Sequence, residues 1–557
     1  MFRKPLFIAL LIVTAFTLGT FSTFAQRTFN QKATGSGGPL MPEQAAYDVQ
    51  SYDLALKVNV EERSIAGTLT VKAAIVKPID KFVLDLHDAF TVDSVKSGNT
   101  SLTFKRTDTQ IWIDLPGGMK SGQTAEIAVA YHGIPKVAPN PPWVGGFVWS
   151  KSKDGSPWFA TAVQNDGADI WFPCKDHPSD KPETASLHFT VPDPLVAASN
   201  GKFVSVKNNG DGTSTYNWFV SQPIANYCIA LNVGPYKLIK DTVPTIAGGT
   251  IPVWFYVLPE DADKAPALLE QLKQFNAFFE SYLGPYPFRA DKIGIAETPH
   301  LGMEHQSITA YGNGFKNNAD GFDGLLEHEF GHEWFANLIT GKDWGDMWLQ
   351  EGFQSFMDTL YVEKLKGKDA YFTAMASRQR AFHNVRAVAP REATSTLQIY
   401  FLAPDYVKSD GDIYGKGAYI LHTMRFYLGD DVFFKMLRRW TYSTPEMEKV
   451  TDGKQEKIVT TDDFLAHVNK ITGKDMDWFF NVYVRQPKLP KLVAEVAGNK
   501  LNLRWETPDK LPFPMPVEVE MAGDIKKVQM KDGKGSIQIP KDTEYIVDPH
   551  RWVLKEQ

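Results

Sequence analysis

Residues 325–353 read "LLEHEFGHEWFANLITGKDWGDMWLQEGF". His328 and His332 stand four apart, and Glu351 follows nineteen residues after the second histidine. On a helix, positions four apart differ by ~40° around the axis and one turn along it, so both imidazoles would face one ion. Zinc takes nitrogen, sulfur or carboxylate ligands in a tetrahedral set, and a catalytic zinc keeps three protein ligands and one open place. His328, His332 and Glu351 supply such a set once the turn "TGKDWGD" folds a second helix back onto the first. Glu329, beside His328, stands where a general base acting on water would stand. Glu333 reads as a solvated or supporting side chain rather than a ligand. The plain alternative is a charged helix face that carries histidines by chance; the spacing to Glu351 and the flanking "WLQEGF" favour the metal.

Helical periodicity surrounds this stretch. In "DADKAPALLEQLKQFNAFFESYLG" the apolar Leu268, Leu272, Phe275 and Phe279 share one face, and Gly284 with Pro285 stops the run. "FDGLLEHEFGHEWFANLIT", "LQEGFQSFMDTLYVEKLK" and "KGAYILHTMRFYLG" extend the pattern to about residue 489. Before residue 258 the period is two: Tyr52, Leu54, Leu56, Val58 and Val60 alternate with polar neighbours, as do Leu69 and Val71. "IWIDL" and "AEIAVAY" continue it, with turn signals such as "NNGDGTS". Alternation returns after "RQPKLPKL" at Leu501, Leu503 and Trp505, then at Val517, Val519 and Met521. The expected order is a β-rich domain over 26–258, a mainly helical domain over 259–489 and a small β-sandwich over 490–557, a multi-domain α+β chain. Residues 26–45 read as a loose lead-in.

Residues 1–25 combine Arg3 and Lys4, the apolar run "PLFIALLIVTAFTLGTF" and small residues at Thr23 and Ala25, the pattern of a secretory signal peptide. An uncleaved anchor is the alternative. Export to a periplasmic or extracellular location is therefore expected, with no stable membrane insertion of the mature chain. Loss of Arg3 and Lys4 moves the formal charge from −6 to −8. This acidic balance argues against nucleic acid and anionic membranes as partners. A disulfide between Cys174 and Cys228 is left open; their apolar, strand-like surroundings also suit free buried thiols.

The motif resembles that of the gluzincin zinc aminopeptidases, the family of aminopeptidase N and leukotriene hydrolase, in which His-Glu-x-x-His is followed by eighteen residues and a Glu. The resemblance implies a saddle-like N-terminal β domain and a thermolysin-like catalytic domain that binds one zinc ion. "LGMEHQSITAYG" (301–312) is similar to the family's Gly-x-Met-Glu-Asn motif. It implies that Glu304 binds the free amine of a peptide and that the backbone around Gly302 and Met303 lines the scissile segment. Leu301 and His305 depart from that motif. "YGKGAYIL" places Tyr414 where the family has a phenol that stabilises the charged carbonyl oxygen. "TAVQNDGADIWFPCKDHPSDKPE" implies that Gln164 assists Glu304, although Asp169 replaces the family's usual Arg. Asp358, seven residues after Glu351, matches an acidic position that orients a ligand histidine. The large C-terminal helical domain of longer members has no counterpart, so the cleft is expected to be more open or closed by a second subunit. The expected activity is removal of N-terminal residues from peptides. The alternatives are an endopeptidase or epoxide-hydrolase variant of the same fold, kept open by His305, and a non-enzymatic β-domain binding protein. The oligomeric state is not legible.

Overall fold

The computed structural model describes residues 35–107, 109–400, 411–540 and 543–556. The expected signal peptide lies outside the described residues.

The N-terminal unit is built on an eight-stranded sheet. Near its centre β1 (Tyr47–Asn59) pairs antiparallel with β2 (Ser64–Ile75) and parallel with β3 (Thr184–Pro192). The two-residue period does what the sequence asks: Tyr52, Leu54, Leu56 and Val58 are buried on one face while their neighbours reach solvent. The lead-in expected to be loose is fastened from residue 36 onward. Ser36 N donates to Asn165 O, Thr396 N donates to Ser36 O, and His177 Nε2 lies 2.9 Å from Gly38 O. Backbone groups that find partners in two separate elements have no reason to stay in water.

A second sheet carries the site. Strands β4 (Lys237–Pro244), β5 (Thr250–Val257), β6 (Ile293–Glu297), β7 (Gly302–Met303) and β8 (Thr309–Tyr311) run in the order β4-β5-β6-β8-β7. β5 and β6 are parallel, and α1 (Ala265–Leu283) makes the crossover that parallel neighbours require. Leu268, Leu272, Phe275 and Phe279 form its buried face, and Gly284 ends it at φ 99°. A division drawn at residue 258 thus runs through one continuous sheet: by strand pairing, residues 237–257 belong with the helical unit. The two-residue strand β7 is the sheet edge, so among the described residues one side of its backbone is free of strand partners.

Four of the catalytic unit's further helices bear on the site: α2 (Gly324–Gly331), α3 (Trp348–Lys366), α4 (Thr396–Tyr400) and α5 (Gly417–Leu428), the last preceded by a π-helical turn over Asp412–Lys416. Asp323 caps α2, its carboxylate accepting from Leu325 N and Leu326 N. The helix expected to run on through "EWFANLIT" ends at Gly331. Beyond it Asn337 N, Leu338 N and Ile339 N bond carbonyls five residues back. Phe335 O is turned onto His332 Nδ1, and Ile339 enters a short strand paired with Lys457–Val459. A side-chain acceptor role and a strand pairing thus replace the last helical turns.

Two three-stranded sheets form the C-terminal unit, with Leu501, Leu503, Trp505, Val517, Val519 and Met521 buried. It docks on α5: Thr423 Oγ1 donates to Trp552 O, and the His422 ring stacks on Trp552 at 4.6 Å. Among the described residues no helix is long and apolar enough to cross a membrane.

Candidate metal and peptide site

His328 lies in the last turn of α2, His332 is its C-cap, and Glu351 lies in the first turn of α3. The Nε2 atoms of the two histidines are 3.2 Å apart, and Glu351 Oε2 lies 3.6 Å from His328 Nε2 and 3.3 Å from His332 Nε2. A tetrahedron with bonds of ~2.0–2.1 Å has edges of about 3.3–3.4 Å, so the three donors are spaced as zinc ligands are. The two oxygens of Glu351 differ in a way that supports the fit. Oε1 accepts from Tyr400 OH at 3.0 Å and from Tyr414 OH at 3.1 Å, whereas buried Oε2 has no hydrogen-bond partner among the described residues. An unpaired carboxylate oxygen facing two imidazole nitrogens is a place for a cation.

Electrostatics agree. Burial pulls His332 down, but the Glu351 carboxylate outweighs it and lifts the imidazole to about 9. Burial likewise opposes protonation of His328, which Asp358 and then Glu351 push well above its ordinary value. Burial works against the Glu351 anion, yet the two imidazoles hold it well below the carboxylate range. The donor set is stabilised by positive charge at its centre, which protons or a metal ion can supply.

Both imidazoles are aimed by their other nitrogen. Asp358 Oδ1 and Oδ2 lie 3.1 and 3.2 Å from His328 Nδ1, and Asp358 is itself held by Arg378 Nη2 and Gln354 Nε2, each at 3.1 Å. His332 Nδ1 lies 2.7 Å from Phe335 O. These bonds fix each ring so that Nε2 points inward. Glu329 projects from α2 toward β7. A Cβ on Gly302 would stand 2.7 Å from Glu329 Oε1, so the glycine is what lets the carboxylate lie against that strand. Burial lifts Glu329 to about 8, near where a proton acceptor works at neutral pH.

Glu304 follows β7 and is buried. Gln164 Nε2 donates to its Oε1 at 2.5 Å and Tyr227 OH at 2.9 Å. Gln164 comes from the N-terminal unit, so two units build one clamp. Behind it Asn337 Nδ2 donates to Glu304 O and to Glu333 Oε2, and Glu333 Oε1 accepts from Ser307 N and Tyr286 OH. Glu333 is therefore buried and braces the 302–307 loop; it is not solvated. Burial lifts it to about 7. Cys228 Sγ lies 3.2 Å from Asn337 Oδ1, and both cysteines are free buried thiols. Asp169, where an Arg is usual, is buried and pushed well above the carboxylate range by burial and then by Asp176.

His328, His332, Glu351, Glu329, Glu304, Gln164 and Tyr414 open on one cavity of about 230 Å³, lined also by Trp143, Leu301, Leu325 and Tyr400. Tyr400, Tyr227 and Asn337 were not singled out from the sequence. No spacing marks them: Tyr227 sits in a 3-10 turn, Asn337 beyond the end of α2 and Tyr400 on a five-residue helix, each reached only through the fold.

Two histidines one helical turn apart, with a glutamate from the next helix completing the donor set, are the ligand arrangement of a gluzincin-class metallopeptidase. The chain matches the Peptidase M1 N-terminal domain over residues 49–228 and the Peptidase family M1 domain over 267–483, and it belongs to peptidase family M1. Among curated relatives, it is 24% identical over 521 residues to the probable aminopeptidase 2 of Sulfurisphaera tokodaii, covering 88% of this chain and 62% of that one. It is 23% identical over 474 residues to aminopeptidase N of Lactococcus lactis subsp. lactis, covering 82% and 53%. The chain thus spans between half and two thirds of these relatives' lengths. Among solved structures, a variant of the M1 zinc metallopeptidase from Deinococcus radiodurans superposes with a TM-score of 0.63 at 25% identity, covering 80% of this chain and 95% of that one. Legionella pneumophila aminopeptidase A shares the fold at a TM-score of 0.73 and 18% identity, covering 91% and 59%.

Proposed function

We propose that the protein is an exported zinc aminopeptidase that removes the N-terminal residue from peptides. The observation that carries this reading is the buried Glu304, pinned by Gln164 and Tyr227 in the same cavity as the His328, His332 and Glu351 donor set. A buried carboxylate in the cavity lining binds an α-ammonium group through charge-assisted hydrogen bonds. It thereby selects peptides with a free amine and sets the first peptide bond at the metal.

His328, His332 and Glu351 would hold the zinc, which when bound polarises the scissile carbonyl and makes water more acidic. Glu329 accepts a proton from the attacking water and returns it to the leaving nitrogen. Tyr414 donates its hydroxyl proton in a hydrogen bond to the carbonyl oxygen as that oxygen gains charge. The free edge of β7 offers backbone groups at Gly302 and Met303 to the extended substrate. Export rests on the N-terminal stretch of the sequence.

The test is a panel of fluorogenic aminoacyl substrates, each with and without a chelator and each also in N-acetylated form. Activity that vanishes with the chelator and with acetylation supports the reading. Equal turnover of acetylated substrates would point to an endopeptidase instead.

A further inference from the structure

Two phenols converge on Glu351 Oε1, and they are not equivalent. Tyr414 borders the cleft on the π-helical turn and is partly exposed. Tyr400 is 2% exposed and ends α4, a helix of five residues seated by bonds at its first position. Thr396 N donates to Ser36 O and Thr396 Oγ1 donates to Asn165 O at 2.5 Å. Gly37 bridges to Ser395, and a Cβ on Gly37 would stand 2.2 Å from Trp344 Cδ1, so the N-terminal strap lies tight against the catalytic unit. Asn165 is the neighbour of Gln164 in the chain. The Tyr400 oxygen also lies 3.2 Å from Gln164 Oε1. One hydroxyl thus stands between the metal-ligand carboxylate and the glutamine that holds Glu304.

A phenol has one proton to donate. An ionised carboxylate is a stronger acceptor than an amide oxygen, so Tyr400 keeps its proton on Glu351. The proposed reaction needs Tyr414 at the substrate's carbonyl oxygen, away from Glu351. With Tyr400 absent, that move would leave Glu351 Oε1 buried without a donor among the described residues, free to rotate toward the metal side. With Tyr400 present, Oε1 stays engaged and Oε2 stays the oxygen that faces the two imidazoles.

We propose that Tyr400 is a positioning residue that holds Glu351 through the reaction and frees Tyr414 for the substrate, an inference that rests on the aminopeptidase reading above. The strap of residues 36–38 and Thr396 is part of the same device, because it fixes the helix from which Tyr400 reaches.

The experiment compares Tyr400→Phe, Tyr414→Phe and Thr396→Val in the full chain. Zn²⁺ affinity is read by titrating metal-free protein against a chromogenic chelator in the presence of a saturating, non-hydrolysable dipeptide analogue that draws Tyr414 off Glu351, and kcat and KM are measured on the reloaded enzymes. Tyr400→Phe is expected to weaken Zn²⁺ binding by about 10–100-fold, as loss of a ligand's supporting bond does. Tyr414→Phe should leave Zn²⁺ affinity near wild type while kcat falls at little-changed KM. Thr396→Val, remote from the reacting atoms, should weaken Zn²⁺ in the same direction as Tyr400→Phe, and it decides the matter if Tyr400→Phe fails to fold. Wild-type Zn²⁺ affinity in Tyr400→Phe, or equal losses in both Tyr variants, would overturn the proposal and leave the aminopeptidase reading standing. A wild-type chain that takes up no Zn²⁺ would overturn both.

Discussion

Gly352 and Gly417 meet backbone to backbone where α3 crosses α5: a Cβ on Gly352 would stand 2.9 Å from Gly417 Cα and 2.9 Å from Ile413 O. Gly352 follows the ligand Glu351, and Ile413 precedes Tyr414. The two glycines are what allow the helix bearing the carboxylate and the turn bearing the phenol to come within one hydrogen bond of each other. Gly352→Ala must push them apart, because both near atoms are backbone and neither can swing away. The expected cost is ~1–3 kcal/mol of stability, with a fall in kcat as Tyr414 loses register. Thermal unfolding and steady-state kinetics check it; wild-type values for both would show that the contact is slack.

Gly302 makes a different demand. Its missing side chain is the space in which Glu329 lies, with Leu325 Cδ1 2.9 Å from the same point. Gly302→Ala is therefore expected to displace the carboxylate and lower kcat by an order of magnitude or more, while zinc content stays near one ion per chain. Loss of zinc along with activity would place the damage at the ligands instead.

Glu329→Gln keeps the shape of that side chain and removes its basicity. General-base catalysis is typically worth ~10²–10⁴-fold, so turnover of aminoacyl arylamides should fall at least ~100-fold with metal retained. Near-normal turnover in this variant would remove Glu329 from the proton-transfer role.

How much of this was legible in the sequence follows from what each feature depends on. His328 and His332 are set by helical spacing and Glu351 by its distance along the chain, all within 24 residues, so the sequence displays them directly. The strand periods of the outer units are equally local, and Tyr52 to Val58 bury as the alternation requires. Asp358 lies seven residues, about two helical turns, beyond Glu351 on the same helix α3. Tyr400 is not local in this sense: it reaches Glu351 across 49 residues from a five-residue helix whose seat is made by Ser36 and Asn165. The end of α2 at Gly331 was hidden for a related reason, since the competing partner of Ile339 lies at Lys457. Where a long-range pairing decides a local outcome, periodicity alone reads the wrong length.

Asp358→Asn tests the aiming of His328. The variant keeps the volume and one acceptor oxygen but loses the charge that Arg378 and the imidazole share. Zn²⁺ affinity is expected to fall ~10–100-fold, the usual effect of losing a carboxylate behind a ligand histidine. An unchanged affinity would mean that ring packing alone orients His328.

The last prediction concerns pH and lies away from the metal. His422 on α5 is fully buried against the C-terminal unit, its Nδ1 2.7 Å from Tyr371 OH and its Nε2 3.3 Å from Arg551 O. A carbonyl accepts only, so Nε2 carries the proton and Nδ1 accepts from the phenol; a second proton on Nδ1 would face an O–H donor. Burial accordingly lowers His422 to about 3, against an ordinary 6.5. The unfolded chain takes up a proton below 6.5 that the folded chain refuses. Stability from this group is thus full above pH 6.5 and is lost as pH falls toward 3, at up to ~1.4 kcal/mol per pH unit. Denaturant unfolding measured from pH 7 to pH 4.5 should show that slope diminished by about one proton in His422→Gln. An identical pH dependence in the two proteins would mean that His422 is protonated in the fold and that the tautomer assigned from Arg551 and Tyr371 is wrong.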